Sequence, residues 1–351
     1  MRIEELNWTK MEDRMSGTPI HTTLQYDAKG KQSGHLAIPY SHNLGGWANL
    51  LAPVSVIANG DGPTVLLMAG NHGDEYPGQV AILKLWRELE AADVTGRLIL
   101  IPTLSSPAAK AGTRLSPLDG KNFNRCFPGN PSGTPSEMLA HYLSTVLFPM
   151  ADIVIDLHTG GRSMNFVPCA HMHLVPDRKQ REAMILATEA FLTGFTFLYT
   201  DVAGTGLLPA EAERQGKIVI TTELGGSEAV LASVHRLCQT GLRNVLRHCG
   251  VLRGAVKERQ RPARWVQALD REDYRFAPES GLYENCVELG DNVKRGDVLG
   301  QVHFLENPDR APVPVVAHAD GVLIANRAPS LVGQGDCVAC LAHDTDPRLL
   351  A

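Results

Sequence analysis

No run of about 18 apolar residues, the length a membrane-spanning helix needs, occurs in this 351-residue chain. The first residues, MRIEELNWTKMEDRM, lack the apolar stretch of a secretory signal. A basic stripe is missing too: 33 Lys and Arg face 38 Asp and Glu, a net charge of −5, which argues against a nucleic-acid partner. Cysteine is sparse. Seven residues, an odd number widely dispersed, do not make a disulfide framework. Internal repeats and low-complexity tracts are also missing. These absences predict a reduced, cytoplasmic protein with no membrane and no nucleic acid among its partners.

What is present is an ordinary globular composition, 44% hydrophobic and 20% charged. At roughly 100–200 residues per domain, the length suggests two domains, or one large domain with an appendage. From Thr64 to Gly250, short apolar runs alternate with amphipathic segments. The predicted strands are Thr64–Ala69, Arg97–Pro102, Ile153–Leu157, Phe195–Tyr199 and Lys217–Thr222. Helices are predicted near Gly78–Ala91, Ser136–Phe148, Arg178–Phe191, Leu207–Arg214 and Glu228–His248. This alternation predicts an α/β fold, a mostly parallel sheet flanked by helices, with ligands bound at the edge where the strands end. Thr22–Tyr26, His35–Ile38 and Val54–Ile57 read as an extra antiparallel edge. After Leu252 the texture changes to charge, Pro262 and then short strands with turn signals. We therefore expect a catalytic domain over residues 1–252 and a smaller all-β, sandwich-like cap over 253–351. The stretch CVELGDNVKRGDVLGQVHF…ADGVLIANRAP resembles half of a biotinyl/lipoyl-like domain. Its turn Ala317-His318-Ala319-Asp320-Gly321 lacks the lysine a carrier needs, which favours a structural role.

The segment MAGNHGDEYPG places His72 and Glu75 just after a buried strand, in a glycine-rich turn before a helix. A lone histidine is usually a surface or satisfied core residue, and a bare H-x-x-E is weak. VIDLHTGG, however, puts His158 in the same strand-then-turn setting. Two His and one Glu leave zinc an open position for water, as in a hydrolytic site. Asp156 is a candidate to orient His158. Glu223, in VITTELGG, ends another strand and is a candidate general base; the alternative is a cap for the following helix. Arg114 and Lys121-Asn122-Phe123-Asn124-Arg125 lie in a long polar loop, where Arg plus Asn suits a substrate carboxylate.

Taken together, GNHGDE, the TR…NFNR segment, DLHTGG and TTELGG resemble, in that order, the succinylglutamate desuccinylase/aspartoacylase family, a branch of the zinc carboxypeptidase superfamily. The resemblance spans about Thr64 to Gly250, and the β region after Leu252 fits the family's carboxy-terminal extension. It implies one zinc ion held by His72, Glu75 and His158, with Glu223 moving protons. It also implies that Arg114 polarises the scissile carbonyl while Asn124 and Arg125 hold the α-carboxylate. The insert LSPLDGKNF between Arg114 and Asn124 is longer than in aspartoacylase. Within the family, AGTRLSPLDGKNFNRCFPG, ADIVIDLHTGGRSMNFVP and GKIVITTELGG are similar to the branch that deacetylates N-α-acetyl-L-2,4-diaminobutyrate in ectoine degradation. That likeness implies a small N-acyl amino acid as substrate and an ectoine hydrolase acting upstream. Physical association with that hydrolase and oligomeric state are not encoded in these motifs.

Other residues carry weaker signals. His171 and His173 share a face if HMH is a strand, as pocket lining, ligands of a second metal or ordinary polar positions. Cys337 and Cys340 form a single C-x-x-C, read as part of the β region. Arg162 follows the DLHTGG turn, and Asp119, Glu284 and Asp291 are candidates for receiving a substrate ammonium. The competing readings are deacylation of another N-acyl amino acid such as N-acetylaspartate or N-succinylglutamate, a peptidase of the same superfamily, and a binding protein that keeps the fold. A non-catalytic protein would be expected to have lost a ligand or the base, yet His72, Glu75, His158 and Glu223 are all present.

Overall fold

Thr64–Ala69 is buried at all six positions, as a strand covered on both faces must be. Alternate residues feed two layers: Leu66 and Met68 pack on one side, and Val65, Leu67 and Ala69 on the other. This strand is near the centre of a computed structural model that describes residues 17–199, 205–268 and 270–350.

In chain order the strands are β1 (Gly30–His42), β2 (Gly45–Asn59), β3 (Thr64–Ala69), β4 (Gly96–Ile101), β5 (Ile153–His158), β6 (Met164–Phe166), β7 (Cys169–His173), β8 (Phe195–Tyr199) and β9 (Ile218–Glu223). Beyond them come β10 (Arg264–Ala268), β11 (Tyr274–Phe276), β12 (Gly281–Asn285), β13 (Asn292–Val293), β14 (Val298–His303), β15 (Val313–Val316), β16 (Gly321–Arg327), β17 (Leu331–Val332) and β18 (Cys337–Asp344). The helices are α1 (Tyr76–Glu88), α2 (Ser106–Ala111), α3 (Pro135–Tyr142), α4 (Arg178–Glu189), α5 (Leu208–Arg214) and α6 (Ala232–His248). After α3 the chain continues through a widened turn at Leu143–Leu147 and a last short turn to Met150.

The large sheet runs β1-β2-β4-β3-β5-β9-β7-β8-β10-β18-β16-β13. Its centre, β4-β3-β5-β9, is parallel, as are β7-β8 and β8-β10. The expected α/β fold with a mostly parallel sheet is thus the observed one. The antiparallel hairpin β1-β2 supplies the anticipated extra edge. Thr22–Tyr26 is not a strand: the chain touches β1 only through an isolated bridge at His21 and Ala37, and the Thr22 hydroxyl turns back to the Leu24 amide. The last predicted helix begins at Ala232 rather than Glu228, because Ser227 and Glu228 adopt positive φ.

Two features were not predicted. β7, carrying the HMH sequence, is inserted antiparallel to β9 and parallel to β8. β10, just past the linker-like stretch, joins the same sheet beside β8, and β18 pairs with β10. The remaining β region includes a separate four-stranded antiparallel sheet, β15-β14-β12-β17.

Helices α1 and α6 cover one face of the sheet, while α3 and α5 lie on the other. Contact between α1 and β5 depends on Gly78, where an added Cβ would lie 2.6 Å from the Leu157 Cβ. Gly78→Ala would force a neighbour to move in a close-packed layer and is expected to destabilise the chain by about 1–3 kcal/mol. Chemical denaturation checks this: the midpoint falls, and an unchanged midpoint would show that the layer can yield.

Candidate active site

Parallel register brings the strand ends to one edge. Ala69 pairs with Leu157, and His158 pairs with Glu223, so β3, β5 and β9 release their chains side by side. From β3 the chain turns through Gly70 and His72 to α1, which begins directly after Glu75 with Pro77 in its first turn. The turn is tight: an added Cβ on Gly73 would lie 2.0 Å from the Ala108 backbone, so only glycine fits there.

At this edge the Glu75 carboxylate sits between two imidazoles. Its Oε1 is 2.7 Å from His72 Nδ1, and its Oε2 is 2.9 Å from His158 Nδ1. The Thr159 amide also donates to Oε2, at 3.0 Å. All three side chains are buried, and one donor atom from each lies within 4.8 Å of the others. The far ring nitrogens are held as well. His72 Nε2 is 3.1 Å from Asn122 Oδ1, and His158 Nε2 is 2.7 Å from Asp156 Oδ2, which also accepts from Asn71 at 3.1 Å. Fixing the far nitrogen leaves each Nδ1 aimed at the common point, the arrangement found around metal-bound histidines. Two imidazoles and a carboxylate, so oriented, fit a zinc ion with a coordination position left for water.

Burial resists ionisation of Glu75, but the two imidazoles outweigh it and hold the carboxyl below its usual range. Burial lowers His72 despite Glu75. For His158 burial acts the same way, yet Asp156 and Glu75 together raise it well above an ordinary imidazole. Glu223 goes the opposite way to Glu75: burial, reinforced by the Glu75 charge, pushes it up to about 8. Its Oε2 is buried without a hydrogen-bond partner. Glu223 does not cap α6, whose N-cap is Leu231.

A cavity of about 260 Å³ opens over this edge, and His72, Glu75, Arg114, Asn124, Arg125, His158 and Glu223 all line it. The guanidinium of Arg114 is half-exposed, with Nη1 3.4 Å from His72 Nδ1 and 3.6 Å from Glu75. Asn124 uses its side-chain oxygen to accept from the Leu208 amide at 2.8 Å, which ties the loop to α5 and leaves its amide nitrogen as the donor. Arg125 donates to the Asn124 carbonyl at 2.6 Å. All seven residues anticipated from the sequence therefore meet in one place.

Other anticipated residues divide. His171 and His173 lie on β7 and both line the cavity. His171 is held by the Thr221 hydroxyl at 2.6 Å, and burial keeps it well below an ordinary histidine. His173 faces Glu213 at 2.8 Å. Cys340 lines the cavity and Cys337 does not. The Arg162 guanidinium pairs instead with Glu228 at 2.6 Å and the Gly112 carbonyl. Asp119, Glu284 and Asp291 are not among the cavity residues: Asp119 accepts from the Ser136 amide, and Glu284 pairs with His303. Sequence reasoning missed Asn71, Tyr199 and Tyr274, and placed Asn122 in the carboxylate-binding loop rather than behind His72. The two asparagines sit inside the quoted motifs, and asking what orients each ligand histidine would have found them.

Known proteins agree with this architecture. Residues 61–249 match the model of the succinylglutamate desuccinylase/aspartoacylase catalytic domain. The chain belongs to this family, and so is a hydrolase of the kind that acts on N-acyl amino acids. It is 38% identical over 335 residues to the N-alpha-acetyl-L-2,4-diaminobutyric acid deacetylase of Halomonas elongata, covering 95% of this chain and 98% of that one. Among solved structures, it is similar to the product-bound ectoine utilization protein EutE (DoeB) of Ruegeria pomeroyi, with a TM-score of 0.90 and 38% identity. That match covers 93% of this chain and 99% of the other. A succinylglutamate desuccinylase/aspartoacylase from Rhodobacter sphaeroides matches with a TM-score of 0.88 and 39% identity, again over 93% and 99% of the two chains.

The bond between Asp156 and His158 can be tested directly. Asp156→Asn keeps the shape but weakens the hold on Nε2, and is expected to lower zinc affinity by about 10–100-fold. Competition with a chromogenic chelator measures it. Unchanged affinity would mean that Asp156 does not orient this ligand.

Proposed function

We propose that the chain removes the acetyl group from N-α-acetyl-L-2,4-diaminobutyrate, giving acetate and L-2,4-diaminobutyrate in the breakdown of ectoine. The reading rests on one coincidence: nearly full-length identity of 38% to a deacetylase of that substrate, in a chain whose His72, Glu75 and His158 converge on one buried point in a cavity that Glu223 also lines.

Bound by His72, Glu75 and His158, one zinc ion would supply a Lewis acid for the carbonyl and lower the pKa of water towards about 7. Glu223 is the group that moves protons. Its carboxylate takes one from the attacking water and delivers it to the departing amine, so a single residue serves as base and then acid. A carboxyl raised towards neutrality by burial and a neighbouring charge is suited to both halves of that task. The Arg114 guanidinium, at the mouth of the cavity, donates to the carbonyl oxygen as negative charge grows on it. Arg125 and the Asn124 amide nitrogen hold the α-carboxylate, which fixes the scissile bond against Glu223.

A cytoplasmic setting is part of this reading. The seven cysteines form no disulfide, and no helix among the described residues is long and apolar enough to cross a membrane.

Two experiments test the proposal. Glu223→Ala is expected to cut turnover by at least about 10²–10⁴-fold, the usual worth of a positioned acid-base group, with zinc content unchanged. Loss of zinc, or survival of activity, would remove Glu223 from this role. Amine release by the zinc-loaded protein is then compared across N-acetyl-diaminobutyrate, N-acetylaspartate, N-succinylglutamate and simple N-acetyl amino acids. The expected preference for the first is more than about tenfold in kcat/KM, roughly 1.4 kcal/mol. Preference for another substrate would keep the hydrolytic chemistry and discard the pathway.

A further inference from the structure

The turn that lacks a carrier lysine has another content. His318, in that turn, points its Nε2 at Asp273 Oδ1, 3.2 Å away. The same oxygen is 2.7 Å from Nε2 of His343, on β18. Asp273 closes a short helical turn at Arg271–Asp273, immediately before β11. Three separate segments thus deliver two imidazoles and a carboxylate to one point, with donor atoms within 4.8 Å of one another. The composition matches the cluster of His72, Glu75 and His158, and the nitrogen–oxygen distances there, 2.7 and 2.9 Å, are similar.

Hydrogen bonding makes this more than a collection of polar groups. His343 Nδ1 lies 2.9 Å from the Asp320 carbonyl, which can only accept, so Nδ1 carries a proton. In the neutral ring, Nε2 then directs a lone pair at the Asp273 carboxylate. Two electron-rich atoms at that distance need a cation between them, either a proton or a metal ion. His318 Nδ1 is buried and has no hydrogen-bond partner, so no acceptor on that side fixes the tautomer, and a ring protonated at Nδ1 turns the Nε2 lone pair to the same point. The side chain of Asp273 is 4% exposed, against 19% for His318 and 33% for His343. The carboxylate is therefore shielded while the imidazole side remains open to water, which can complete the coordination.

We propose that Asp273, His318 and His343 form a second divalent metal site, suited to zinc or a neighbouring first-row ion. It is separate from the catalytic cluster and stitches the turn before β11, the turn before β16 and strand β18 together. Tyr274 follows Asp273 and, with Cys340 of β18, borders the catalytic cavity, so the ion braces that wall from behind.

Equilibrium dialysis of the metal-free chain against zinc, followed by elemental analysis, tests the site without relying on activity. The wild-type chain is expected to hold two zinc ions, and the His318→Gln/His343→Gln chain one, with kcat within twofold. Equal zinc content in the wild-type and double-variant chains would overturn the proposal. Should the double variant lose turnover, the His72→Ala/His158→Ala chain decides. It is expected to retain one ion, and retention of none would equally overturn the site.

Discussion

A single buried carboxylate organises this molecule's chemistry. Glu75 has both oxygens committed, one to each imidazole, and a backbone amide on the second. A carboxylate can be kept charged in such a place only if its neighbours stay in position, since an unpaired buried charge is far costlier than a paired one. That demand reaches outward. It requires β3 and β5 in register, a turn with no side chain at position 73, and Asp156 and Asn122 behind the two rings. The same layout gives a metal ion three donors already facing one point.

Glu75 also sets the character of Glu223. Two carboxyls close together in a dry corner are driven apart in acidity, and here the one held by imidazoles ionises while the other keeps its proton more readily. In the proposed mechanism one serves as a metal ligand and the other as a group that exchanges protons near neutrality. Identical side-chain chemistry is thus divided into two tasks by surroundings alone.

Much of this could be read in the sequence because the chemistry lies at strand ends. His72, His158 and Glu223 each follow an apolar run, and in a parallel sheet the runs end at one edge. The loop residues Arg114, Asn124 and Arg125 were signalled by residue type, and family resemblance gave each its role, since nothing in local pattern says where a polar loop will fold back. Strand β7 was hidden because its five residues carry two histidines, and burial of His171 depends on a partner, Thr221, fifty positions away. The start of α6 was misplaced by backbone conformation at Ser227 and Glu228, which composition does not encode. β10 was obscured by its neighbours: charged, proline-containing sequence runs straight into a strand whose reason for existing is the open side of β8.

That last pairing has a consequence for how the chain can be divided. Because β10 lies beside β8 and β18 beside β10, the carboxy-terminal region is sutured into the large sheet by backbone hydrogen bonds. A fragment ending at Leu252 would leave β8 with a bare row of amides and carbonyls. Exposed edges of that kind recruit other strands, including those of sister molecules. The tail thus acts as a selvedge, closing a border that would otherwise unravel into aggregation.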